Sequence, residues 1–179
     1  MNADAKLPKR GSREAILDAA EALVREQGVN RMTLDAVAAR AGLSKGGLLY
    51  NFPSKDALLR GLIERFTERM EMADGDGSPG RVVTRRLAVH DESVANRRGG
   101  LGMLAAFAEN PDLIEPVRAF QRQLWEHWKA TEADPERGLI AWLAAEGLCF
   151  LDLFETSPLT PEEHGRVVAA IERIARGER

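Results

Sequence analysis

The chain is poor in the residues on which most enzymes depend for catalysis. Its 179 residues include one cysteine, three histidines and one tyrosine. The sequence holds neither the HExxH pattern of zinc proteases nor the GxxxxGK phosphate loop of nucleotide-binding enzymes. We therefore expect no enzyme activity, no metal site and no cofactor, and we keep a small helical enzyme only as a remote alternative.

Long apolar runs are missing as well. No segment approaches the roughly 20 apolar residues that span a bilayer, and no apolar segment follows the charged N-terminus. The lone Cys149 cannot form an internal disulfide, and its apolar neighbours favour a buried thiol in a reducing compartment. These features predict a cytoplasmic protein without a membrane partner.

A net positive charge is lacking over the whole chain but is present at its start. The net charge is -3, yet residues 1–56 hold 9 Lys and Arg against 7 Asp and Glu, which gives +2. Residues 57–179 hold 16 against 21, which gives -5. Residues 1–11 form a basic arm that either lies along DNA phosphates or only improves solubility, and both readings stay open.

Apolar residues recur every three to four positions along most of the chain. Glycine- and proline-rich breaks divide this pattern into about nine helices, and no run alternates as a half-buried strand would. The predicted fold class is all-α.

Residues 33–52 predict two short helices joined by a tight turn. Gly42 supplies the left-handed residue that ends the first helix, and Ser44 caps the second. The buried face of the first helix consists of Leu34, Val37, Ala38 and Ala41. Small alanines let the second helix cross closely, which is typical of a DNA-binding helix-turn-helix.

Over residues 12–66 the chain resembles the tetracycline-repressor (TetR) family of bacterial transcription regulators. The resemblance rests on a helix ending at Gly28, on Ala-Ala-Arg-Ala-Gly-Leu-Ser at 38–44, and on Phe-Pro-Ser-Lys-Asp-Ala-Leu at 52–58. It implies a homodimer of nine- or ten-helix subunits whose variable C-terminal domain binds a small molecule. Residues 12–56 would then be the DNA-binding domain, residues 54–73 a linking helix, and residues 74–179 the effector-binding and dimerisation domain.

The resemblance also implies which residues contact phosphates or base edges: Thr33, Ser44, Lys45, Tyr50 and Lys55. Physical chemistry agrees, because Thr33 and Ser44 precede helices whose free N–H groups attract anions. Capping alone would also explain these two hydroxyls. The two lysines supply charge at either end of the second helix.

Four further residues complete the predicted DNA-binding surface: Arg13, Gly46, Gly47 and Asn51. Each glycine costs about 1 kcal/mol of helix propensity relative to alanine and offers no side chain for base reading. Asn51 either contacts adenine or ends the helix. Family members commonly have an aromatic residue where this chain has Leu49, so one phosphate contact is either missing or shifted to Tyr50.

The C-terminal half offers an aromatic cluster as the candidate effector pocket. Its predicted lining is His90, Met103, Phe107, Phe120, Trp125, Trp128 and Trp142. Most of these side chains would serve as core even if a pocket exists. The eighth predicted helix is apolar on more than one face, which a second subunit would cover, and the ninth presents a further apolar set. The predicted interface is Leu143, Phe150, Leu151, Phe154, Val167, Ile171 and Ile174.

Together these features predict a dimeric, sequence-specific DNA-binding transcriptional regulator. The favoured mechanism is repression at a palindromic operator, relieved when a partly apolar small molecule binds. Two alternatives stay open, a DNA-binding dimer without an effector and an activator.

Overall fold

The computed structural model describes residues 11–71, 77–94 and 97–178, without the side chains of residues 71 and 90–99. Most of the predicted basic arm, residues 1–10, therefore lies outside the described residues. The described ranges contain nine α-helices and no strand, which confirms the all-α prediction. The helices are α1 (Ser12–Gln27), α2 (Leu34–Ala41), α3 (Lys45–Asn51), α4 (Lys55–Glu71), α5 (Pro79–Val94), α6 (Arg97–Glu109), α7 (Glu115–Thr131), α8 (Pro135–Leu153) and α9 (Pro161–Arg176).

The first of two hydrophobic cores lies among α1 to α4. Ile16 and Leu17 of α1 and Leu58 of α4 are fully buried there. Ala106 of α6 and Leu113, in a 3₁₀ turn at Pro111–Ile114, belong to the same core. The N-terminal unit is thus completed by residues beyond position 74, where the sequence suggested a domain boundary.

Polar contacts add to the attachment of α4. On α4, Arg65 is almost buried and its guanidinium donates to Asp18 and Glu21 of α1. At the start of α4, Asp56 accepts a hydrogen bond from the Asn110 amide at 2.9 Å. Helix α4 is therefore tied both to α1 and to the segment between α6 and α7.

The second core lies among α5, α7, α8 and α9. Its most buried members, at 1 % exposure or less, are Val83, Trp128, Ala141 and Ala145. The Trp128 indole Nε1 donates to the Gly77 carbonyl at 2.8 Å, so its one polar atom is satisfied. Among the described residues, no helix is long and apolar enough to cross a membrane.

Candidate nucleic-acid interface and ligand cavity

The turn between α2 and α3 has the cap chemistry that the sequence predicted. The Thr33 hydroxyl accepts from the Ala36 N–H at 3.2 Å, and the Ser44 hydroxyl accepts from the Gly47 N–H at 3.1 Å. Gly42 has φ +68°, which is costly for most residues with a side chain. The two hydroxyl caps fix where α2 and α3 begin, and the left-handed Gly42 marks the end of α2.

Two buried side chains hold α3 against the first core. Leu48 is fully buried and Phe52 is 3 % exposed. Gly61 of α4 makes room for Phe52, because a Cβ at position 61 would lie 2.7 Å from the Phe52 ring. Tyr50 lies between these anchors in sequence and is 91 % exposed, so its side chain adds nothing to the core.

The three predicted cationic contacts have partners of different kinds. The Lys45 ammonium pairs with the Asp35 carboxylate at 3.0 Å, and both side chains are largely exposed. The Lys55 ammonium donates to the Val29 carbonyl at 2.9 Å, which holds it to the turn before α2. Arg13 lies over the Phe52 ring at 5.4 Å. An exposed ion pair contributes little to stability, so Lys45 can exchange Asp35 for a phosphate at small cost.

Asn51 uses its side chain within the protein. Its amide donates to the Gly47 carbonyl at 2.9 Å, and its carbonyl oxygen accepts from the Ser12 hydroxyl at 3.4 Å. An adenine contact would have to replace these bonds. Of the two roles that the sequence left open for Asn51, the geometry therefore favours the one that ends the helix. Gly46 and Gly47 have room for a methyl group, because a Cβ would meet only the Ser44 hydroxyl oxygen at 4.0 and 3.4 Å.

One ion pair of this unit has no signal in the sequence. The Arg40 guanidinium donates two hydrogen bonds of 2.6 Å to the Glu26 carboxylate, joining α2 to α1. These bonds raise the pKa of Arg40 and lower the pKa of Glu26. The partners are 14 positions apart on different helices, and no periodicity links them.

Ser44 also lies in the sequence Gly-Leu-Ser-Lys-Gly at 42–46, which has the GxSxG spelling of a hydrolase nucleophile turn. That turn joins a strand to a helix. Here the serine joins two helices and its hydroxyl caps α3. The two motifs therefore share residue spacing but not structure.

The C-terminal half contains a cavity of about 320 Å³ between α4, α5, α6, α7 and α8. Of the predicted pocket residues, Phe107, Phe120 and Trp142 line it. The other predicted aromatics and Met103 do not: Trp128 is core, Trp125 packs partly buried against the second core, and Met103 packs against the first. The His90 side chain lies outside the described residues. Helical spacing identified apolar faces but could not say which neighbour each face meets.

Sequence reasoning missed the polar part of the cavity wall. The Arg86 Nε and Nη2 atoms donate to the Glu146 carboxylate at 2.6 and 3.1 Å. Burial disfavours the charge on Arg86, but the bonds to Glu146 outweigh it and raise the arginine's pKa. Cys149 lies beside this pair and lines the cavity. Arg86 and Glu146 are 60 positions apart, so only the packing of α5 on α8 reveals the pair.

Cys149 is expected to react with alkylating agents far more slowly than an ordinary thiol. Its side chain is 4 % exposed, and burial raises its pKa to about 12. Near neutral pH the folded protein then holds about a thousandfold less thiolate than an exposed cysteine would. Mass spectrometry after iodoacetamide treatment at pH 8 should show an unmodified folded chain and a modified chain in denaturant. Equal labelling of the two would contradict the burial.

The predicted interface residues fall into two groups. On α8 and just beyond its end, Leu143, Phe150, Leu151 and Phe154 are exposed, and so is Ile140, which the sequence prediction omitted. On α9, Ile174 is exposed and Val167 is half-buried against the second core. Ile171 is 4 % exposed within the subunit, so its assignment to an interface was wrong: it is a core residue.

Two family models match this chain. The model described as bacterial regulatory proteins, tetR family, matches residues 16–62. The model described as tetracyclin repressor-like, C-terminal domain, matches residues 86–176. Together they cover the capped helix pair and the cavity wall except for its α4 residues, Phe66, Thr67 and Met70.

Individual relatives agree with the family models. The nucleoid occlusion factor SlmA of Haemophilus ducreyi is 35 % identical over 69 residues, which span 36 % of this chain and 34 % of that protein. The SCO7518 protein of Streptomyces coelicolor A3(2) has a similar structure, with a TM-score of 0.64 at 22 % identity, covering 92 % of this chain and 98 % of the other. The multidrug binding protein EbrR, in complex with ethidium, matches with the same TM-score and coverage at 19 % identity. The structural likenesses concern the fold.

Proposed function

The chain belongs to the TetR family of bacterial transcription regulators, and from that premise we propose that it is a homodimeric repressor released from a palindromic operator by a small molecule. It is a DNA-binding transcriptional regulator and not an enzyme. The finer points, namely the dimer, repression and release by ligand, are the content of the proposal. The observation that carries its DNA-binding part is the contrast between the buried anchors Leu48 and Phe52 and the exposed Tyr50 between them.

The DNA-binding surface is proposed to be the exposed side of α3 with the start of α2. Tyr50 follows Gly46 and Gly47 by four and three positions, so all three lie on one side of the helix. Lys45 adds charge at the N-terminal end of α3, where the helix dipole also favours phosphate. Thr33 and Ser44 contribute hydroxyls at two helix starts. A recognition helix presented in this way enters a major groove with its first turns toward the bases.

Dimerisation is proposed to use a surface that we call the α8 face: Ile140, Leu143, Gly147, Phe150, Leu151 and Phe154. Five of its members recur every three to four positions, Leu151 follows Phe150 directly, and all six are exposed in the subunit. The Phe150 and Phe154 rings lie 4.6 Å apart and form one continuous apolar surface. Gly147 has nothing within 4 Å of a Cβ position, which leaves room for a partner helix. A contiguous apolar patch of this kind marks an interaction site.

Release by ligand is proposed to act through helices that touch both the cavity and the DNA-binding unit. Helix α4 lines the cavity with Phe66 and packs on α1 through Arg65. Helix α6 lines it with Phe107 and lies directly on the turn before α2, where a Cβ on Gly102 would be 3.0 Å from Val29. A ligand that shifts α4 or α6 changes the spacing of the two recognition helices, which must match successive major grooves about 34 to 36 Å apart.

Replacing Gly46 or Gly47 with alanine is expected to stabilise the free protein and weaken DNA binding. Both positions have room for a methyl group within the chain, and alanine gains up to about 1 kcal/mol of helix propensity. The added methyl groups would stand between the α3 backbone and the bases. Thermal unfolding should therefore occur at higher temperature while operator affinity falls about tenfold, ~1.4 kcal/mol.

Gly165→Ala is the matched control for these substitutions. Gly165 lies in α9 with nothing within 4 Å of a Cβ position. The control should raise the unfolding temperature by a similar amount and leave operator affinity unchanged. Unchanged affinity in both Gly46→Ala and Gly47→Ala would show that α3 does not approach DNA through this side.

The proposed release is tested by a compound screen with two simultaneous readouts. Trp142 lines the cavity, so its emission reports occupancy, and the anisotropy of a labelled operator duplex reports DNA release. We expect compounds that give a saturable change in emission together with loss of bound DNA. Compounds that saturate the cavity while the operator stays bound would favour the alternative of a dimer that ignores ligands.

A further inference from the structure

The wall of the 320 Å³ cavity is mostly aromatic and aliphatic. The Phe120 and Trp142 rings meet edge to face at a centroid distance of 6.1 Å. Phe66, Leu104 and Phe107 come from helices α4 and α6. The volume is at the lower end of the range of about 300 to 1,000 Å³ for small-molecule sites. Such a wall favours a compact ligand with flat apolar faces.

The charged groups of the wall cancel each other. Arg86 and Glu146 form a two-bond pair, with side chains 16 % and 34 % exposed. A planar pair of this kind is strong and fixed in orientation. Glu146 neutralises Arg86, so a ligand carboxylate meets no net positive charge at the pair, and a ligand cation likewise meets no net negative charge. Either ion would give up its hydration without a compensating charge, which is costly.

The pair uses two of the five N–H groups of the Arg86 guanidinium, so donors remain for a ligand. The third guanidinium nitrogen, Nη1 of Arg86, makes no hydrogen bond among the described residues. Gln121 adds an amide to the same wall, whereas the nearby Thr67 hydroxyl already donates to the Glu64 carbonyl at 2.9 Å. A neutral oxygen acceptor can receive the Nη1 hydrogen without disturbing Glu146.

We propose that the cavity selects an uncharged, flat aromatic molecule that carries a carbonyl or hydroxyl oxygen, and that the Arg86–Glu146 pair is what rejects ions of either sign. The ligand class rests on the proposed function, since it takes this cavity to be the effector site. Glu146 is the residue that excludes anions, because it neutralises the charge of Arg86. Arg86 excludes cations, because it neutralises the charge of Glu146.

The test compares three naphthalene derivatives of similar size: 2-acetylnaphthalene, 2-naphthoate and 2-naphthylmethylammonium. Calorimetric titration of the full chain without DNA should show the neutral ketone binding at least tenfold more tightly than either ion. Binding of either ion as tightly as the ketone would overturn the proposal, and so would failure of all three to bind at millimolar concentration.

Substitutions that remove one charge of the pair should change the order of affinity of the three ligands, and the two substitutions should do so in opposite directions. In Glu146→Gln the pocket keeps Arg86 alone, and naphthoate should become the tightest ligand. In Arg86→Gln it keeps Glu146 alone, and the ammonium should become the tightest. Arg118→Gln, which removes one partner of an exposed pair on α7, is the control and should keep the wild-type order.

If circular dichroism shows that one pocket variant does not fold, comparison of the other variant with the wild type still tests the role of the Arg86–Glu146 pair. An order that is the same in a folded variant as in the wild type overturns the role of the pair. Operator release is measured separately with the neutral ketone. If the ketone binds as expected while DNA stays bound, the ligand class holds and the proposed release by ligand fails.

Discussion

Leu143→Glu is expected to convert the protein to a monomer and to weaken operator binding at least a hundredfold. Leu143 is 60 % exposed in the subunit, so a glutamate there leaves the core of the subunit intact. In a dimer through the α8 face, the same carboxylate would be buried against apolar side chains without a partner, at a cost of several kcal/mol. Loss of the dimer removes the second half-site contact, and two linked sites gain about 10² to 10⁴ in affinity over one.

Sedimentation velocity and a gel-shift titration would measure the two parts of this result. Leu101→Glu is the matched control, because Leu101 is 38 % exposed on α6 and lies outside the α8 face. It should remain a dimer with wild-type affinity. A Leu143→Glu protein that still sediments as a dimer would contradict the proposed interface, and a monomer that keeps full affinity would contradict the need for two subunits on the operator.

Tyr50→Ala and Lys45→Ala are expected to lower operator affinity by about 10- to 100-fold each, the range of roughly 1 to 3 kcal/mol for a single good contact. Stability should not change, since Tyr50 is 91 % exposed and the Lys45–Asp35 pair is exposed. The two variants should differ in salt dependence. Loss of a phosphate contact at Lys45 would reduce the slope of log affinity against log salt by about one, whereas loss of a base contact at Tyr50 would leave the slope unchanged.

Arg166→Ala is the control for these two variants. Arg166 is exposed on α9 and pairs with Glu162 of the same helix. Its removal should change neither affinity nor salt slope. Wild-type affinity in both Tyr50→Ala and Lys45→Ala would exclude α3 as the recognition helix, because these are the two side chains that it presents.

The DNA-binding unit could be predicted from the sequence because its determinants are local. The caps at Thr33 and Ser44 depend on groups three residues away, and the left-handed Gly42 follows from the turn itself. Periodicity correctly placed Val37 and Ala38 of α2 in the core. All of this information lies within about one helical turn of each residue.

The cavity and the packing of α6 on the first core could not be predicted in the same way, because both depend on which helices pack together. Met103 has the spacing of a buried residue, and the sequence assigned it to the cavity. Because α6 packs on the DNA-binding unit, Met103 contacts the first core instead. The apolar residues of α9 divide between core and surface, so Ile171 is buried while Ile174 is exposed. From the sequence alone, Arg86 and Glu146 would each be taken as surface residues. Only the packing of α5 on α8 brings them together as a pair.

Selection of bound fragments from a pool of random duplex DNA tests the central claim most directly. A dimer with two recognition helices predicts recovery of an inverted repeat, with half-site centres one helical turn of about 10 to 10.5 base pairs apart or a multiple of it. The Leu143→Glu protein should not recover the repeat. Recovery of unrelated fragments, or of a single half-site by both proteins, would contradict the account of a dimer that reads a palindrome through α3.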